Sequence, residues 1–167
     1  MTTIFGMFLA LLMIFGAAQI FVSGQEKNSD QKISENSRKS LVGAWETVVT
    51  PRNCQTGAPV APDFQSLVTF NDGGTLAEFA AGGNPSLRSP GHGIWRRENG
   101  PRSYSMKFVF LRFSPTGVFI GKQKVTQTLE LSADGDQSTS TGTVEVLDLS
   151  GNVIGSGCST AAATRFE

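Results

Sequence analysis

From Leu41 to Glu167 the chain consists of about eight short runs of alternating apolar and polar residues, each ended by Gly, Pro, Asn or Asp. Alternation with a period of two is typical of strands that bury one face, and the residues between the runs are turn formers. No segment of this region carries a helical period. All seven prolines fall between the runs, where a missing ladder donor does no harm. The pattern predicts an all-β domain.

The runs predict eight strands joined mainly by short turns, of which Asn71–Gly74 is a strong hairpin signal. Short connections produce a meander, and closing a meander of this length removes both exposed edges. We therefore predict an antiparallel up-and-down barrel in which the first strand pairs with the last; a two-sheet sandwich is the alternative. The predicted strands are Leu41–Thr50, Gln65–Phe70, Thr75–Ala80, Gly91–Glu98, Ser103–Ser114, Val118–Leu131, Gln137–Leu147 and Val153–Glu167.

The first 24 residues carry no charged side chain, and residues 4–15 are almost continuously apolar. Small residues precede Gln25, so we predict a signal peptide over residues 1–24 and a secreted or periplasmic protein with no membrane attachment after cleavage. An uncleaved anchor is the alternative, because the apolar stretch approaches the ~20 residues of a membrane span. Residues 25–40 hold seven charged residues and a single large apolar one, Ile33, which predicts a polar tether before a barrel domain over 41–167.

Fourteen basic and fourteen acidic residues leave the chain without net charge, whereas nucleic-acid binders usually show a basic excess. No nucleic-acid partner is therefore predicted. In an exported protein, two cysteines predict one disulfide, here between Cys54 and Cys158, since Cys54 follows the first strand and Cys158 lies in the last. Two separate buried thiols are the alternative. Two cysteines and one histidine without ligand spacing do not predict a metal site, and no cofactor is predicted.

Gly43-Ala44-Trp45 opens the first strand and Arg165 lies near the end of the last. In a closed barrel these strands are neighbours, so the guanidinium can stack on the indole face. In these residues the chain resembles the lipocalin-like (calycin) families, which carry Gly-x-Trp on the first strand and an arginine on the last. The resemblance implies a structural plug at the closed end of the barrel. The Thr-Asp-Tyr motif of those families is replaced by residues 132–136, which favours an outlying bacterial branch.

The segment Arg88–Arg97 is the densest cluster of functional side-chain types and holds the only histidine, His92. Gly91 and Gly93 flank it, and they either let a ligand come close or serve the curvature of the barrel. His92 is a candidate hydrogen-bonding or acid–base residue, with a strand-end histidine bonded to backbone as the alternative. No nucleophile elbow is present, and no catalytic residue is predicted.

The spacing of the acidic residues singles none of them out as a functional group. Glu46, Asp63 and Glu78 could act as acids, but we expect them on the solvated exterior of the barrel.

The fifth strand has two largely apolar faces and the sixth has a polar middle, a combination that suits an amphipathic ligand. Twelve phenylalanines make a barrel filled by its own side chains the alternative. Phe70 and Phe119 are further candidates for the wall. The predicted ligand-binding residues are Phe79, His92, Trp95, Tyr104, Met106, Phe108, Phe110 and Arg112.

We therefore predict a barrel that binds a small hydrophobic or amphipathic molecule. One alternative is a barrel enzyme resembling the allene oxide cyclases and dirigent proteins, with His92, Arg88 and Arg112 as polar handles for the substrate. Another is a solid barrel whose loops bind a protein. A void above ~300 Å³ would separate the first two possibilities from the third.

Overall fold

A computed structural model describes residues 40–166 and shows a closed barrel of eight antiparallel strands in up-and-down order. The predicted fold class is confirmed, and the sandwich alternative is wrong. The predicted signal peptide and residues 25–39 of the predicted tether lie outside the described residues. The strands are β1 (Gly43–Arg52), β2 (Phe64–Phe70), β3 (Thr75–Ala80), β4 (Gly91–Arg97), β5 (Ser103–Phe113), β6 (Phe119–Leu131), β7 (Gln137–Leu147) and β8 (Val153–Arg165).

Among the described residues, helical structure is limited to a short 3₁₀ turn, Pro85–Leu87, between β3 and β4. Within residues 40–166 no helix has the length and hydropathy needed to span a membrane.

Closure of the barrel depends on the pairing of β1 with β8, which runs from Trp45 opposite Arg165 to Arg52 opposite Cys158. The sheet bends where inward positions are glycine. A Cβ on Gly93 would lie 2.0 Å from the Lys107 carbonyl oxygen, and one on Gly142 would lie 2.2 Å from that of Thr126. Neighbouring strands approach too closely there for any side chain, so these glycines serve curvature.

The two ends of the barrel differ in their filling. At one end the turns are short, and large inward side chains pack into a continuous core; we call this the closed end. The loops over residues 53–63 and 81–90 lie at the other end, which we call the mouth. The core residues at the closed end include Leu41, Trp45, Phe70, Leu76, Tyr104, Leu129 and Leu131.

Trp45 is fully buried at the closed end, and its indole N–H donates to the Leu41 carbonyl at 2.9 Å. The Arg165 guanidinium lies over the indole, 4.4 Å from the ring centroid. It also donates to the backbone carbonyls of Ser40, Val42 and Gly135. The Arg165 side chain thus links the end of β8 to the residues just before β1 and to the β6–β7 turn.

Two local features position this guanidinium. A Cβ on Gly43, whose φ is +132°, would lie 2.8 Å from the Arg165 Nη1 atom. In the β6–β7 turn, the Ser132 hydroxyl and the Asp136 amide donate to the Asp134 carboxylate, and these hydrogen bonds lower the pKa of Asp134. The ionised carboxylate holds the turn in the shape that presents the Gly135 carbonyl to Arg165.

Replacing Arg165 with Ala is expected to lower the free energy of unfolding by about 2 kcal/mol, through lost packing, lost hydrogen bonds and the lost cation–π contact. Urea denaturation measures this change. Arg96→Met removes an exposed arginine from the outer face of β4 and serves as the control, with an effect within ~0.5 kcal/mol. An Arg165→Ala protein as stable as the parent would show that the stack contributes nothing to the fold.

Cys54 and Cys158 form a disulfide with a Cα–Cα distance of 5.1 Å, and both cysteines of the chain are therefore oxidised. The predicted pairing is confirmed. The bond ties the loop after β1 to β8 at the mouth, the opposite end of the β1–β8 seam from Trp45 and Arg165.

Because the disulfide spans 104 residues, the chain-entropy model gives it about 4–5 kcal/mol of stabilisation. Thiol titration of the unfolded, unreduced protein should find no free thiol. A Cys54→Ser/Cys158→Ser variant should unfold at a markedly lower urea concentration than the parent. Equal midpoints would mean that the bond adds nothing beyond the strand pairing.

Candidate ligand-binding cavity

A cavity of about 780 Å³ lies inside the barrel between the closed-end core and the mouth. Seven of the eight strands contribute side chains to its wall, together with residues of the two mouth loops. The apolar strand residues of the wall include Val49, Phe64, Val68, Met106, Phe108, Phe110, Val125, Val144 and Ala161. The polar strand residues include Thr47, Arg52, Ser66, Glu78, Arg112, Gln123, Gln127 and Ser159.

The cavity exists because one side of the barrel presents very small residues. On β8 the inward positions around it are Gly157, Ser159 and Ala161, while β5 supplies Phe108 and Phe110. A Cβ on Gly157 would meet no atom within 4 Å. Aromatic side chains of one wall therefore face space that the other wall does not fill.

At the mouth, the second loop packs against the start of β2. The Phe64 ring lies so close to Gly82 that a Cβ there would be 2.8 Å from the ring, and the Ala81 amide donates to the Gln65 carbonyl at 2.8 Å. The second loop is shaped by Asn84, whose side chain accepts hydrogen bonds from the amide and hydroxyl of Ser86 at the start of the 3₁₀ turn. The entrance is thus a structured rim.

A buried ion pair joins the second mouth loop to the wall. Arg88, directly after the 3₁₀ turn, pairs with Glu78 of β3, and the two side chains are 11% and 5% exposed. The Ser66 hydroxyl donates to the other Glu78 oxygen at 3.0 Å, and the Arg88 guanidinium lies 3.7 Å from the centroid of Phe110. Both charges are compensated, so the pair can remain ionised inside an apolar wall.

The position of Glu78 corrects the sequence interpretation, which placed it on the solvated exterior. Glu78 is buried on the inner face of β3, between Leu76 and Ala80 in the alternation. Gly91 opposite leaves room for it, because a Cβ there would lie 2.7 Å from the carboxylate. Glu46 and Asp63 are exposed.

Gln127 of β6 forms the other polar element of the wall. It is buried, it accepts a hydrogen bond from the Ser140 hydroxyl at 3.3 Å, and its amide N–H donates to the Ser159 hydroxyl at 3.5 Å. These three polar side chains satisfy one another across β7 and β8. They mark the deep part of the cavity with groups that also remain able to bond a ligand.

Four of the predicted ligand-binding residues line the cavity: Met106, Phe108, Phe110 and Arg112, at alternate positions on the inner face of β5.

Two further predicted residues, Trp95 and Tyr104, lie in the closed-end core. Their ring centroids are 5.7 Å apart, and Trp95 also contacts Phe70 edge-on at 5.9 Å. These rings therefore form the base beneath the cavity and do not line it.

Phe79 and His92 have their side chains on the outer face of the barrel, where both are exposed. The two-residue period decides this placement, because Glu78 and Gly91, their neighbours in sequence, are buried on the inner face. Phe119, also a wall candidate, is 39% exposed and packs against Phe113 at the rim. None of the three lines the cavity.

Sequence reasoning missed Ser66, Glu78 and Gln127 as inward polar groups, and it named Arg88 as a polar handle without placing it. A signal for Glu78 was present, since it alternates with Leu76 and Ala80. Phe79 lies on the other face of the same strand, however. Because Glu78 is charged, we expected the face that holds Glu78 to point outward.

The closed eight-stranded antiparallel barrel, with Trp45 beneath Arg165 at one end, is consistent with a lipocalin-like fold. No known family model matches the chain, and no curated protein sequence is significantly similar to it.

Glu78→Gln is expected to lower the free energy of unfolding by about 3 kcal/mol, because it leaves Arg88 buried without a counter-ion. The double variant Glu78→Met/Arg88→Met should recover most of that loss, since an apolar pair of similar volume replaces the ions. Chemical denaturation of the parent and the two variants measures these changes. Arg96→Met, which breaks the exposed pair with Glu98, is the matched control and should change stability by no more than ~0.5 kcal/mol. An equal loss from Glu78→Gln and Arg96→Met would argue against a special role for the buried pair.

Proposed function

We propose that the protein is an exported, lipocalin-like barrel that binds a small hydrophobic or amphipathic molecule in its cavity. The observation that carries the proposal is the volume of about 780 Å³ inside the barrel. Small-molecule sites are typically concave, ~300–1,000 Å³ in volume, largely apolar, and equipped with a few fixed polar groups. The cavity fits each of these criteria.

The distribution of groups favours an amphipathic ligand over a purely apolar one. Met106, Phe108 and Val125 line the middle of the cavity, where a hydrocarbon portion would be buried. Charged side chains concentrate toward the mouth, at Arg88 and Arg112. A molecule with an apolar body and a polar end could place each part against a matching wall.

The placement of His92, Arg88 and Arg112, the polar side chains that could hold a substrate, favours binding over the enzyme alternative. His92 lies on the outer face and is remote from any ligand in the cavity. Arg88 and Arg112 line the cavity, but arginine stays protonated in proteins and does not transfer protons. Glu78 is held by Arg88 and Ser66. The wall thus offers groups that position a ligand, and its other carboxylate, Asp63, is exposed at the mouth.

Two features support export. The uncharged, apolar residues 1–24 have the composition of a signal peptide. The disulfide Cys54–Cys158 belongs to a class of bond that persists in oxidising compartments and is rare in the cytosol. The Trp45–Arg165 stack supports placing the chain in an outlying branch of the lipocalin-like barrels.

The test is a fluorescence titration with a neutral phenylnaphthylamine reporter, combined with native mass spectrometry of protein purified from its own host. Gly157→Phe would project a ring into the cavity, since nothing lies within 4 Å of a Cβ at that position. It should weaken reporter binding at least ~10-fold, because the apolar volume is occupied. Gly157→Ala should have a smaller effect.

Ala162→Phe adds the same ring on the exposed face of β8 and is the control; it should bind the reporter as the parent does. His92→Gln should also leave binding unchanged. If Gly157→Phe folds and still binds the reporter with parental affinity, the cavity is not the binding site. Failure of the parent to bind any apolar reporter, with no co-purified mass, would contradict the proposal itself.

A further inference from the structure

Arg112 differs from the other cations of the cavity in having no protein partner. It lies on the inner face of β5, is half-buried and lines the cavity near the mouth. Among the described residues it makes neither an ion pair nor a side-chain hydrogen bond. By contrast, Arg88 is neutralised by Glu78, and the Arg52 side chain donates to the Thr160 hydroxyl at 2.9 Å and to the Gly57 carbonyl.

The charges around the mouth do not cancel. Once Arg88 and Glu78 are paired, the charged side chains that remain in the lining are Arg52, Arg112 and Asp63. Asp63 is exposed, so water screens its charge, whereas Arg112 is half-buried beside apolar walls. With two cations and one anion, these side chains leave the lining with a net positive charge.

A second unpartnered polar group lies beside Arg112. Gln123 of β6 is directly opposite Phe110, which makes it the diagonal neighbour of Arg112 on the inner face. It lines the cavity and has no side-chain hydrogen bond among the described residues. On β6 the residue opposite Arg112 is Gly121, where a Cβ would lie 2.1 Å from the Leu147 carbonyl oxygen, and on its other side the backbone of Arg112 pairs with that of Arg88. Arg112 and Gln123 therefore lie side by side in the wall, a cation next to an amide donor.

We infer that the ligand carries an anionic head group, a carboxylate or a phosphate ester, which binds Arg112 with Gln123 as a second donor. The planar guanidinium matches both oxyanions in a bidentate geometry, and the Gln123 amide supplies one more N–H. The apolar part of the ligand then extends toward Met106 and Val125. This inference rests on the proposed function and narrows it to acidic amphiphiles.

The experiment compares ligands that share one tail and differ in the head. Dodecanoate, dodecyl phosphate, dodecanol and dodecylamine are titrated below their micelle concentrations by reporter displacement. The parent protein should bind at least one of the two anions ~10-fold or more tightly than dodecanol, and dodecylamine more weakly than dodecanol. The two anionic arms distinguish a carboxylate from a phosphate ligand.

Arg112→Met keeps an unbranched apolar stem and removes the charged guanidinium. It should reduce the affinity for the preferred anion to that for dodecanol and leave dodecanol binding within about twofold. Arg112→Lys should recover part of the preference for the anion, because it restores a positive charge without the paired N–H donors of the guanidinium. Added salt should weaken anion binding in the parent and have little such effect in Arg112→Met. Arg96→Met, on the outer face, should bind each of the four ligands with the affinity of the parent.

Three outcomes would overturn the inference. Equal affinity of the parent for the anions and dodecanol would show that the cavity ignores the head group, although the proposed function would stand. Equal weakening of anion and alcohol binding by Arg112→Met would make Arg112 a packing residue. Binding of none of the four ligands by a protein that still binds the reporter would also overturn the inference and leave the proposed function standing.

Discussion

The structure depends on the pairing of β1 with β8. Without it, an eight-strand meander has two open edges and no enclosed interior; with it, every strand has two neighbours. The seam is secured at both ends by different physical means. At the closed end the Arg165 guanidinium lies over Trp45 and bonds three carbonyls, while at the mouth a disulfide links Cys54 to Cys158. Each device acts on residues far apart in sequence.

Closure alone does not produce a cavity, since a barrel of eight strands can be filled by its own side chains. The difference lies in the asymmetry of the inner face. Large side chains such as Trp45 and Tyr104 fill the closed end, whereas the small inward residues of β8 leave space near the mouth. The same small residues allow β5 to present Phe108 and Phe110 to a ligand.

Charge is distributed along the cavity in a way that follows from desolvation. A single buried carboxylate, Glu78, is tolerated because Arg88 and Ser66 compensate it, and the pair also anchors the second mouth loop. Nearer the mouth, the half-buried Arg112 lies in the wall without such compensation. A ligand entering with its apolar end first would therefore reach matching surface throughout, with its polar end left beside Arg112.

Alternation and turn residues were enough to predict the strands and their up-and-down order, because a period of two and a Gly or Pro turn are local properties; the disulfide was predicted from the expected export and the presence of two cysteines. They did not decide which face points inward on β3 and β4, where both faces hold mixed residues. Glu78 and Phe79 exchange their expected places for this reason, and His92 lies outside with Phe79. Twelve phenylalanines suggested a filled barrel, yet four precede residue 25 and only Phe70, Phe108 and Phe110 are buried among those described. The cavity, the ion pair and the unpartnered Arg112 are set by contacts between strands distant in sequence, which only the tertiary structure decides.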